Sequence, residues 1–452
     1  MQIIADLHIH SKYSRAVSQK MDLHGIGSWA SIKGIDLVST GDYTHPIWLR
    51  EITMHLKETS PGLYELKKPV MGQQNPVKFM LTTEISSIYS QAGKTRRMHN
   101  IIFAPSIAVA EKINKELLKR GTNLMSDGRP ITGIPSKDLL EMVLSIDERC
   151  LFVPAHIWTP WFSLFGSKSG FDSIEECFGK NSRYIYAIET GLSSDPIMNW
   201  GIKDLENLSI LSFSDAHSGP KLGREATVFV PAGSNPNLSH RNYSYDDIID
   251  AIKQKAMSPL KIGYTIEFFP EEGKYHWTGH RACNIQYGPD EEKKNGVICP
   301  VCGKPLTVGV VSRVADLSTK LLTDKDLLFA QNSAGLTFID DTEKKRRPFV
   351  SIIPLLEVML ELEGGSPTKA ERRYHQTITD LGSEFDILLK IPYAEIASYG
   401  GELMKKAIET IRTRHAHIDP GYDGVFGTVR LFKDEKQIKK LPTEKQPVLF
   451  SQ

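Results

Sequence analysis

The sequence predicts an α/β protein whose N-terminal half forms a β/α barrel. Short apolar, β-branched runs recur there, separated mostly by amphipathic stretches, as expected for alternating strands and helices. Seven such runs in one domain favour a closed or nearly closed barrel, although an open, doubly wound sheet has the same rhythm. The expected strands cover residues 3–9, 35–40, 78–85, 98–104, 150–155, 183–188 and 208–214.

The expected helices of this half carry their apolar residues on one face. Residues 109–120 place Ile113 and Leu117 on the same side of a helix, and residues 137–146 repeat that spacing. Another helix is expected after Ser244, which has the character of an N-cap because two aspartates follow in the first turn.

Length and composition exclude several classes of protein. The 452 residues suggest two or three domains, and an apolar content of 40% with 24% charged residues argues against disorder. The longest apolar run, residues 349–360, is too short to span a membrane, and no signal segment is evident at the N-terminus. Five cysteines without a framework suit a reducing compartment, so we expect a cytoplasmic protein with no membrane partner. A net charge of +1 gives no general attraction for nucleic acid, which would have to be bound at local sites.

Changes in composition and residue pattern along the chain predict four segments. Residues 1–258 form the barrel, and residues 259–312 alternate in strand fashion and contain three of the five cysteines. Residues 313–432 are mainly helical in pattern and are expected to contact DNA if the protein binds it. Residues 433–452 form a polar, lysine-rich tail. The basic run at residues 344–347 (KKRR) is typical of a solvated surface loop.

Potential metal ligands lie at or near the carboxyl end of nearly every expected barrel strand. His8 and His10 are two residues apart on the first strand, so both imidazoles point the same way. In β/α folds this edge of the sheet carries the active site. The other strands contribute Asp42, His45, Glu84, His99, His156, Glu189, Asp215 and His217.

The number and type of these ligands indicate hydrolytic metal chemistry. A single histidine or glutamate at a strand end is usually a hydrogen-bonded surface residue, but such residues on seven strands exceed what one ion needs. We therefore expect two or three divalent ions, which could be Zn²⁺, Mn²⁺, Mg²⁺ or Fe²⁺. Such a cluster ionises water near neutral pH and holds a phosphate oxygen beside it, which predicts metal-dependent hydrolysis of phosphate esters.

The order of these motifs resembles that of the polymerase and histidinol phosphatase (PHP) family. The resemblance implies a distorted seven-stranded β/α barrel with a trinuclear metal site. It implies metal ligands at His8, His10, Glu84, His99, His156, Asp215 and His217. Many members have Asp-His after the second strand, whereas here Asp42 or His45 could coordinate. A further family ligand near residue 16 is missing, and Arg15 could bind a substrate phosphate there instead.

The segment 156–171 (HIWTPWFSLFGSKSGF) interleaves aromatic residues with glycines and serines, and two interpretations are open. It could be a hydrophobic cap on the barrel. Alternatively, it could stack against a nucleotide base rotated out of a duplex, with polar groups near a phosphate. The residues expected to contact DNA in that case are Trp158, Trp161, Phe162, Phe165, Ser167, Lys168 and Ser169.

The remaining cysteine pattern predicts a structural zinc site. Cys299 and Cys302 are spaced as in a zinc knuckle, followed by a glycine for the tight turn. His280 and Cys283 would complete four tetrahedral ligands, with His276 as an alternative histidine. A closed site of this kind stabilises folding and does not catalyse.

The tail ends in a short motif. Gln446, Leu449 and Phe450 are similar to the peptide by which bacterial DNA enzymes dock on the sliding clamp. The resemblance implies that Leu449 and Phe450 fill a pocket on the clamp and that Gln446 anchors the peptide.

Taken in order, the motifs resemble the endonuclease Q family over nearly the whole chain. They are GDYTHP, HIWTPWFSLFGSKSGF, SDAH and CPVCGKPLT, with a small zinc module and a mainly helical C-terminal domain after a PHP-type barrel. The resemblance implies a DNA repair endonuclease. It would cleave on the 5′ side of deaminated bases (hypoxanthine, uracil, xanthine) or abasic sites. Asp215 and His217 would hold metal, and Asp42 or His45 would accept a proton.

Two other functions are open on the sequence alone. A small-molecule PHP phosphatase of the histidinol-phosphate type would share the metal site, but the zinc module and the C-terminal segments would be unexplained. A non-catalytic DNA-binding module with a degenerate metal site would hold only the structural zinc.

Overall fold

The computed structural model of the chain describes residues 2–69, 76–233, 242–320 and 322–433. Within these ranges the strands are β1 (Ile3–Asp6), β2 (Leu37–Ser39), β3 (Leu56–Ser60), β4 (Leu63–Leu66), β5 (Lys78–Gln91), β6 (Lys94–Ala104), β7 (Ile131–Thr132), β8 (Leu151–Pro154), β9 (Ala187–Glu189), β10 (Ser209–Leu211), β11 (Ala226–Pro231), β12 (Leu260–Glu267), β13 (Thr278–His280), β14 (Ile285–Tyr287), β15 (Leu327–Gln331), β16 (Thr337–Asp341), β17 (Phe349–Ser351), β18 (His417–Asp419) and β19 (Thr428–Arg430).

The helices of the same ranges alternate with the strands at first and then dominate the C-terminal part of the chain. They are α1 (Leu23–Lys33), α2 (Pro46–His55), α3 (Ile107–Lys119), α4 (Ser136–Ile146), α5 (Ile174–Phe178), α6 (Pro196–Trp200), α7 (Tyr245–Ile252), α8 (Pro289–Asn295), α9 (Val310–Leu317), α10 (Leu355–Leu362), α11 (Pro367–Leu381), α12 (Glu384–Leu389) and α13 (Tyr393–Arg412). Ser244 caps α7 as expected, since its side chain accepts a hydrogen bond from the amide of Asp247.

A large mixed sheet organises the N-terminal half. β1 pairs in parallel with β2, and β2 pairs in parallel with β5. β11 lies antiparallel on the other side of β1 and connects the sheet to β12 and β17. β9 and β10 form a separate parallel pair, and β9 packs beside β8. The mixed α/β class and the seven expected strands are confirmed.

The predicted β/α barrel would have all seven strands in parallel, and this part of the prediction is wrong at β6. β6 pairs antiparallel with both β5 and β8. β5 and β6 are longer than expected and are joined by a two-residue turn, Ala92 and Gly93, whose φ angles of 51° and 74° suit a tight hairpin. A turn of this length cannot hold the crossover that parallel neighbours need, so the second strand must return antiparallel.

Apolar side chains from one face of these strands meet in a single buried cluster. Ile3, Ala5 and Leu7 of the β1 region alternate into it with residues from the other strands of this half, among them Phe103 and Leu211. Helix α7 contributes five residues to the same cluster. This cluster therefore lies on the inner face of the N-terminal sheet.

The C-terminal half is only partly as predicted. Helices α10 to α13 confirm a helical region, with a break in α13 at Gly401, whose φ is 77°. Residues 327–351, however, form β15 to β17, and β17 pairs in parallel with β12 of the large sheet. The expectation of helix was wrong there. These strands are short, and their formation depends on pairing with other strands rather than on a regular spacing of apolar residues in the sequence. The expected division after residue 258 falls between β11 and β12, which pair in one sheet.

Candidate metal centre

The first histidines emerge directly from β1. Leu7 and Ile9 point into apolar clusters and are buried, so the alternation of a strand leaves His8 and His10 on the opposite side. Ile9 also forms a parallel bridge with Ala216, which continues the sheet beyond β1 and brings the end of β10 alongside. The strand geometry thus places two imidazoles beside the residues that follow β10.

Seven histidine and carboxylate side chains meet at this end of the sheet. Their ligand atoms form three groups, and within each group the atoms lie within 4.8 Å of one another. His10 belongs to two groups and Glu84 to two, so the groups form one continuous cluster. The groups are His8, His10 and Glu84; His10, Asp215 and His217; and Glu84, His99 and His156.

Glu84 is at the centre of the cluster. Its Oε1 lies 2.7 Å from His99 Nδ1 and 3.2 Å from His156 Nε2, and its Oε2 lies 3.2 Å from His10 Nε2. Burial opposes ionisation of this carboxyl, but the charges of His99 and Arg129 are among those that outweigh it and lower the pKa of Glu84 well below its usual value. Glu84 therefore favours the ionised form, with one oxygen beside His99 and His156 and the other beside His10.

The antiparallel hairpin explains why His99 reaches Glu84. In the register of β5 and β6, His99 is opposite Ser86, two residues from Glu84 and on the same face. His99 is therefore in the middle of its strand, not at the end, and the reversal of β6 puts it beside the carboxylate.

Unpaired buried atoms show that the cluster suits cations. His8 Nε2, His10 Nε2 and Asp215 Oδ1 are buried and make no hydrogen bond within the described chain. Asp215 Oδ1 is only 3.1 Å from His10 Nε2. Buried polar atoms without partners are costly unless a ligand satisfies them, and nitrogen and carboxylate donors suit divalent ions.

Two carboxylates orient the imidazoles from behind. Glu189, at the end of β9, has Oε1 2.8 Å from His8 Nδ1, and its Oε2 accepts a hydrogen bond from the amide of His156 at 2.8 Å. Asp42 Oδ1 lies 3.0 Å from His10 Nδ1. Each contact engages Nδ1 and turns Nε2 toward the cluster, which is the usual role of a carboxylate behind a metal-binding histidine.

Asp42 and His45, the two alternative ligands, are not part of the three groups. Asp42 Oδ2 accepts hydrogen bonds from the Ser11 amide at 2.6 Å and from the hydroxyls of Ser11 and Ser14 at 2.7 and 2.9 Å. A Cβ on Gly128 would lie 2.4 Å from that oxygen, so only glycine fits against it. His45 starts α2 and stacks on Tyr13 with ring centroids 4.4 Å apart.

Arg129 belongs to the cluster although nothing in the sequence indicated it. Its Nη1 lies 3.0 Å from Glu84 Oε2, and the side chain is 27% exposed. The charge of Glu84 is the main cause that raises the pKa of Arg129, so the guanidinium stays charged. It follows Asp127 and Gly128 in a loop before β7, a composition common to many surface turns.

The aromatic segment 156–171 divides into a buried and an accessible part. Trp158 and Phe165 are fully buried, and Trp158 Nε1 donates a hydrogen bond to Asn199, so these two rings form a hydrophobic cap and are not offered to a base. Trp161 and Phe162 are half-buried. The ring of Phe162 lies 4.7 Å from that of His99, at the edge of the metal cluster.

The polar groups expected to contact DNA also differ in accessibility. Lys168 is exposed and Ser167 is half-buried, whereas Ser169 is buried and accepts a hydrogen bond from the amide of Phe162. Arg15 is 76% exposed, with Nε 3.4 Å from Asp127 Oδ2. The hydroxyl oxygen of Ser167 is nevertheless buried. Arg15 and Lys168 are thus the polar members of the set whose charged groups solvent reaches.

A second, separate metal-binding group lies in the cysteine-rich segment. The ligand atoms of His280, Cys283, Cys299 and Cys302 lie within 4.8 Å of one another, and Cys302 Sγ is 3.4 Å from His280 Nδ1. Burial opposes ionisation of Cys299, but hydrogen bonds outweigh it and lower the pKa of this thiol to about 6. His276, the alternative histidine, is buried outside this group.

Two further expectations concern other parts of the chain. The residues expected to bind a clamp, Gln446, Leu449 and Phe450, lie outside the described ranges. In the part of the chain that is described, no helix combines the length and apolarity needed to cross a membrane.

The sheet and the linked ligand groups define a metal-dependent hydrolase. No protein-family profile matches the chain. Endonuclease Q in complex with a 27-mer duplex carrying an abasic lesion at the active site is similar over 98% of this chain and 99% of that chain, with 30% identity and a TM-score of 0.78. The lesion-specific endonuclease PfuEndoQ from Pyrococcus furiosus gives the same TM-score at 29% identity over 98% of both chains. The chain belongs to the endonuclease Q family of DNA repair endonucleases.

Two curated relatives have no described activity. The uncharacterized protein YqxK of Bacillus subtilis is 30% identical over 332 residues, which are 71% of this chain and 78% of that protein. The uncharacterized protein MJ0043 of Methanocaldococcus jannaschii is 32% identical over 288 residues, which are 62% of this chain. The chain spans only 32% of the length of MJ0043.

Proposed function

We propose that this chain nicks DNA on the 5′ side of deaminated bases (hypoxanthine, uracil, xanthine) or abasic sites. The observation that carries the proposal is the cluster of seven ligands at one end of the sheet, in a chain that matches endonuclease Q over its whole length. Because all seven ligands implied by the PHP resemblance gather there, a degenerate metal site is not favoured. A small-molecule phosphatase would not need the C-terminal half that this family shares.

The proposed architecture is a distorted seven-stranded barrel of the PHP type over residues 1–258. The single inner cluster of apolar side chains supports it. A zinc module would follow over 259–312 and a C-terminal domain in contact with DNA over 313–432, with a clamp-binding tail over 433–452. The proposed place of action is the cytoplasm.

The proposed cofactors are two or three divalent ions in the barrel and one structural zinc. Three linked groups of ligands support three positions in the barrel, and one histidine with three cysteines suits zinc. When bound, the barrel ions supply Lewis-acid chemistry, which ionises water near neutral pH and neutralises phosphate charge.

The residues of the chain would have distinct duties in this reaction. Glu189 and Asp42 hold His8 and His10 in place, and three hydrogen-bond donors make Asp42 a positioning residue rather than a proton acceptor. His45 is the remaining candidate for that role, because burial is the main cause that lowers its pKa and keeps the imidazole neutral. Arg129 is charged and partly exposed at the cluster, which suits a phosphate oxygen.

The damaged nucleotide would lie against the accessible part of segment 156–171. Phe162 borders His99, and Trp161 and Lys168 are also open to solvent, which together offer stacking surfaces and a cation beside the metals. Arg15 would contact a phosphate from the opposite side of the cluster.

The test uses a labelled duplex with one deoxyuridine, deoxyinosine or abasic site in the presence of Mg²⁺ or Mn²⁺. The wild-type chain should nick 5′ of the lesion and leave an undamaged duplex intact, and His8→Ala should not nick either duplex. His24→Ala, which changes an exposed histidine, is the matched control and should behave as wild type. No nick by the wild type on any lesion would overturn the proposal, and a nick that survives His8→Ala would place the chemistry elsewhere.

The clamp interaction has its own test. A peptide of the last residues should bind a bacterial sliding clamp, and replacing Leu449 and Phe450 by alanine should abolish binding. Equal binding by the altered peptide would exclude the motif.

A further inference from the structure

A cavity of about 210 Å³ lies at the end of the sheet away from the metal centre. Metal-centre residues follow the carboxyl ends of the parallel strands, as Glu189 ends β9 and Asp215 comes after β10. The cavity instead borders Ser209, the first residue of β10, and Leu260, the first residue of β12. It therefore lies at the opposite end of the strands from the proposed incision site.

The charged residues that line the cavity are mostly cations. They come from three separate segments: the end of α7, the start of β12 and the loop before β17. A single carboxylate, Glu206, lines it as well. The cationic residues are Lys255, Lys261, Lys345, Arg346 and Arg347.

Two of the five cations are paired with carboxylates outside the cavity. Lys255 Nζ lies 2.7 Å from Asp250 Oδ1, and Lys345 Nζ lies 2.6 Å from Glu343 Oε2. These contacts are surface ion pairs and are worth little individually. They leave the excess of positive charge at the cavity only partly compensated.

Arg346 builds the wall of the cavity rather than serving as a free charge. Its Nη1 donates hydrogen bonds to the carbonyls of Leu205 and Glu206, at 3.2 and 2.8 Å, and its own amide donates to Asp341 Oδ2 at 2.7 Å. The loop that carries Arg346 and Arg347 is thereby fixed to the segment before β10. The basic run at residues 344–347 is therefore fixed by hydrogen bonds to neighbouring segments.

Lys261 and Arg347 are the two cations of the cavity whose side chains have no partner within the described chain. Both side chains are exposed, and within the described chain neither makes a hydrogen bond or an ion pair. The two residues are neighbours in the sheet. Lys261 lies on β12, Arg347 lies just before β17, and β12 and β17 pair in parallel. Two unpaired cations from adjacent elements at one cavity offer complementary charge to an anion with several oxygens.

We propose that this cavity binds a phosphate group, held by Lys261 and Arg347. The volume is below the roughly 300 Å³ at which pockets for whole drug-sized ligands begin, so it suits a phosphate with a few attached atoms. Trp200 and Ile262 give the cavity apolar walls against which those atoms pack. The phosphate belongs either to a nucleic-acid backbone remote from the incision site or to a small phosphorylated compound.

The test measures binding of inorganic phosphate, pyrophosphate and a short oligothymidylate by calorimetry, with the full-length chain. Lys261→Ser/Arg347→Ser should weaken binding of at least one probe about tenfold or more. Lys137→Ser/Lys180→Ser removes the same charge from exposed positions outside the cavity and should bind as wild type. Thermal melts of both variants check that they fold.

The outcomes separate the two sources of phosphate. Loss confined to phosphate and pyrophosphate indicates a small compound, whereas loss for the oligonucleotide with a shallower salt dependence indicates a nucleic-acid backbone. No binding of any probe by the wild type, or equal weakening by the control variant, would overturn the proposal. Nicking of a lesion duplex by the wild type is measured separately from probe binding, and the control variant should nick as the wild type does, so this site can fail while the proposed activity stands.

Discussion

The two metal-binding groups of this protein are built in opposite ways. The cluster of the N-terminal half takes nitrogen and oxygen ligands from residues as far apart as His8 and His217, and most of them are buried. The group of the cysteine-rich segment takes its four ligands from a single stretch, between His280 and Cys302, and Cys302 is exposed. The first therefore depends on the whole sheet, whereas the second depends on a local turn.

The difference extends to what surrounds the ligands. Carboxylates stand behind His8 and His10 and fix their orientation, and the charged Arg129 borders the cluster from the solvent side. The three cysteines and His280 would supply all four ligands of a tetrahedral ion and leave no position for substrate. The first arrangement is suited to chemistry and the second to folding, and four predictions separate them.

The largest effect is expected at the shared ligand His10. His10→Ala removes an atom from two of the three groups and should lower the nicking rate by about a thousandfold or more. The melting temperature in the absence of metal should change by only a few degrees. Single-turnover nicking of a deoxyuridine duplex measures the rate. A loss of less than tenfold would show that the cluster is not the catalytic centre.

A smaller effect is expected from the residue behind His10. Asp42→Asn keeps the shape of the side chain but removes the charge that faces Nδ1, and should lower the nicking rate or the Mn²⁺ affinity about 10- to 100-fold. Higher Mn²⁺ concentration should recover part of the activity, which a direct catalytic role would not allow. Glu51→Gln, which alters a carboxylate outside the groups, is the matched control.

The third prediction concerns pH. Burial lowers the pKa of His8 and His10, but their carboxylate neighbours outweigh it and raise both pKa values well above the ordinary one. A metal must displace these protons, so Mn²⁺ affinity should fall about tenfold per pH unit for each proton displaced as the pH decreases. Calorimetric titrations at about pH 6, 7 and 8 measure this slope, and a flat profile would contradict it.

The sign of the stability effect is the reverse. Because the folded pKa values of His8 and His10 are raised, the metal-free protein gains stability from their charged forms below the unfolded pKa. That contribution is lost as the pH rises through the folded values. Protein whose metal has been removed with a chelator should therefore lose this part of its stability at alkaline pH. Over the same pH range the affinity for Mn²⁺ should rise.

The smallest effect on activity is expected at the cysteine group. Cys299→Ser should remove one zinc per chain and accelerate amide exchange in β13 and β14, while nicking by the folded protein falls less than about threefold. Cys177→Ala, at a buried cysteine outside the group, should keep the zinc. A loss of nicking as large as that of His10→Ala would mean that the two groups work together.

Much of the metal cluster could be predicted because strand alternation is a local property. His8 and His10 face one way through spacing alone, and His156 and Asp215 follow strand ends at one edge. Glu84 was expected at a strand end but lies in the middle of β5, which is longer than expected. His99 also reached the cluster, although for a reason the sequence did not supply. Its strand runs the other way, and the hairpin register brings it to Glu84.

The remaining features depend on contacts between distant segments. Arg129 reaches Glu84 across 45 positions from an unremarkable loop, and only the folded chain shows that pairing. Only the folded chain shows that the hydroxyls of Ser11 and Ser14 both donate to Asp42 Oδ2, while Asp42 Oδ1 faces His10. Strands β15 to β17 extend the sheet from β12, with which β17 pairs. The spacing of apolar residues in 327–351 does not predict this pairing.

The two shared ligands also couple the metal positions to one another. His10 and Glu84 each belong to two groups, so an ion bound in one group would fix the direction of a side chain that the next group also needs. Loading of the centre should therefore be cooperative, with a sigmoidal rise of activity as metal is added. The enzyme would then change from inactive to fully active over a narrow range of metal concentration. Protein with only some of its metal positions filled would be rare.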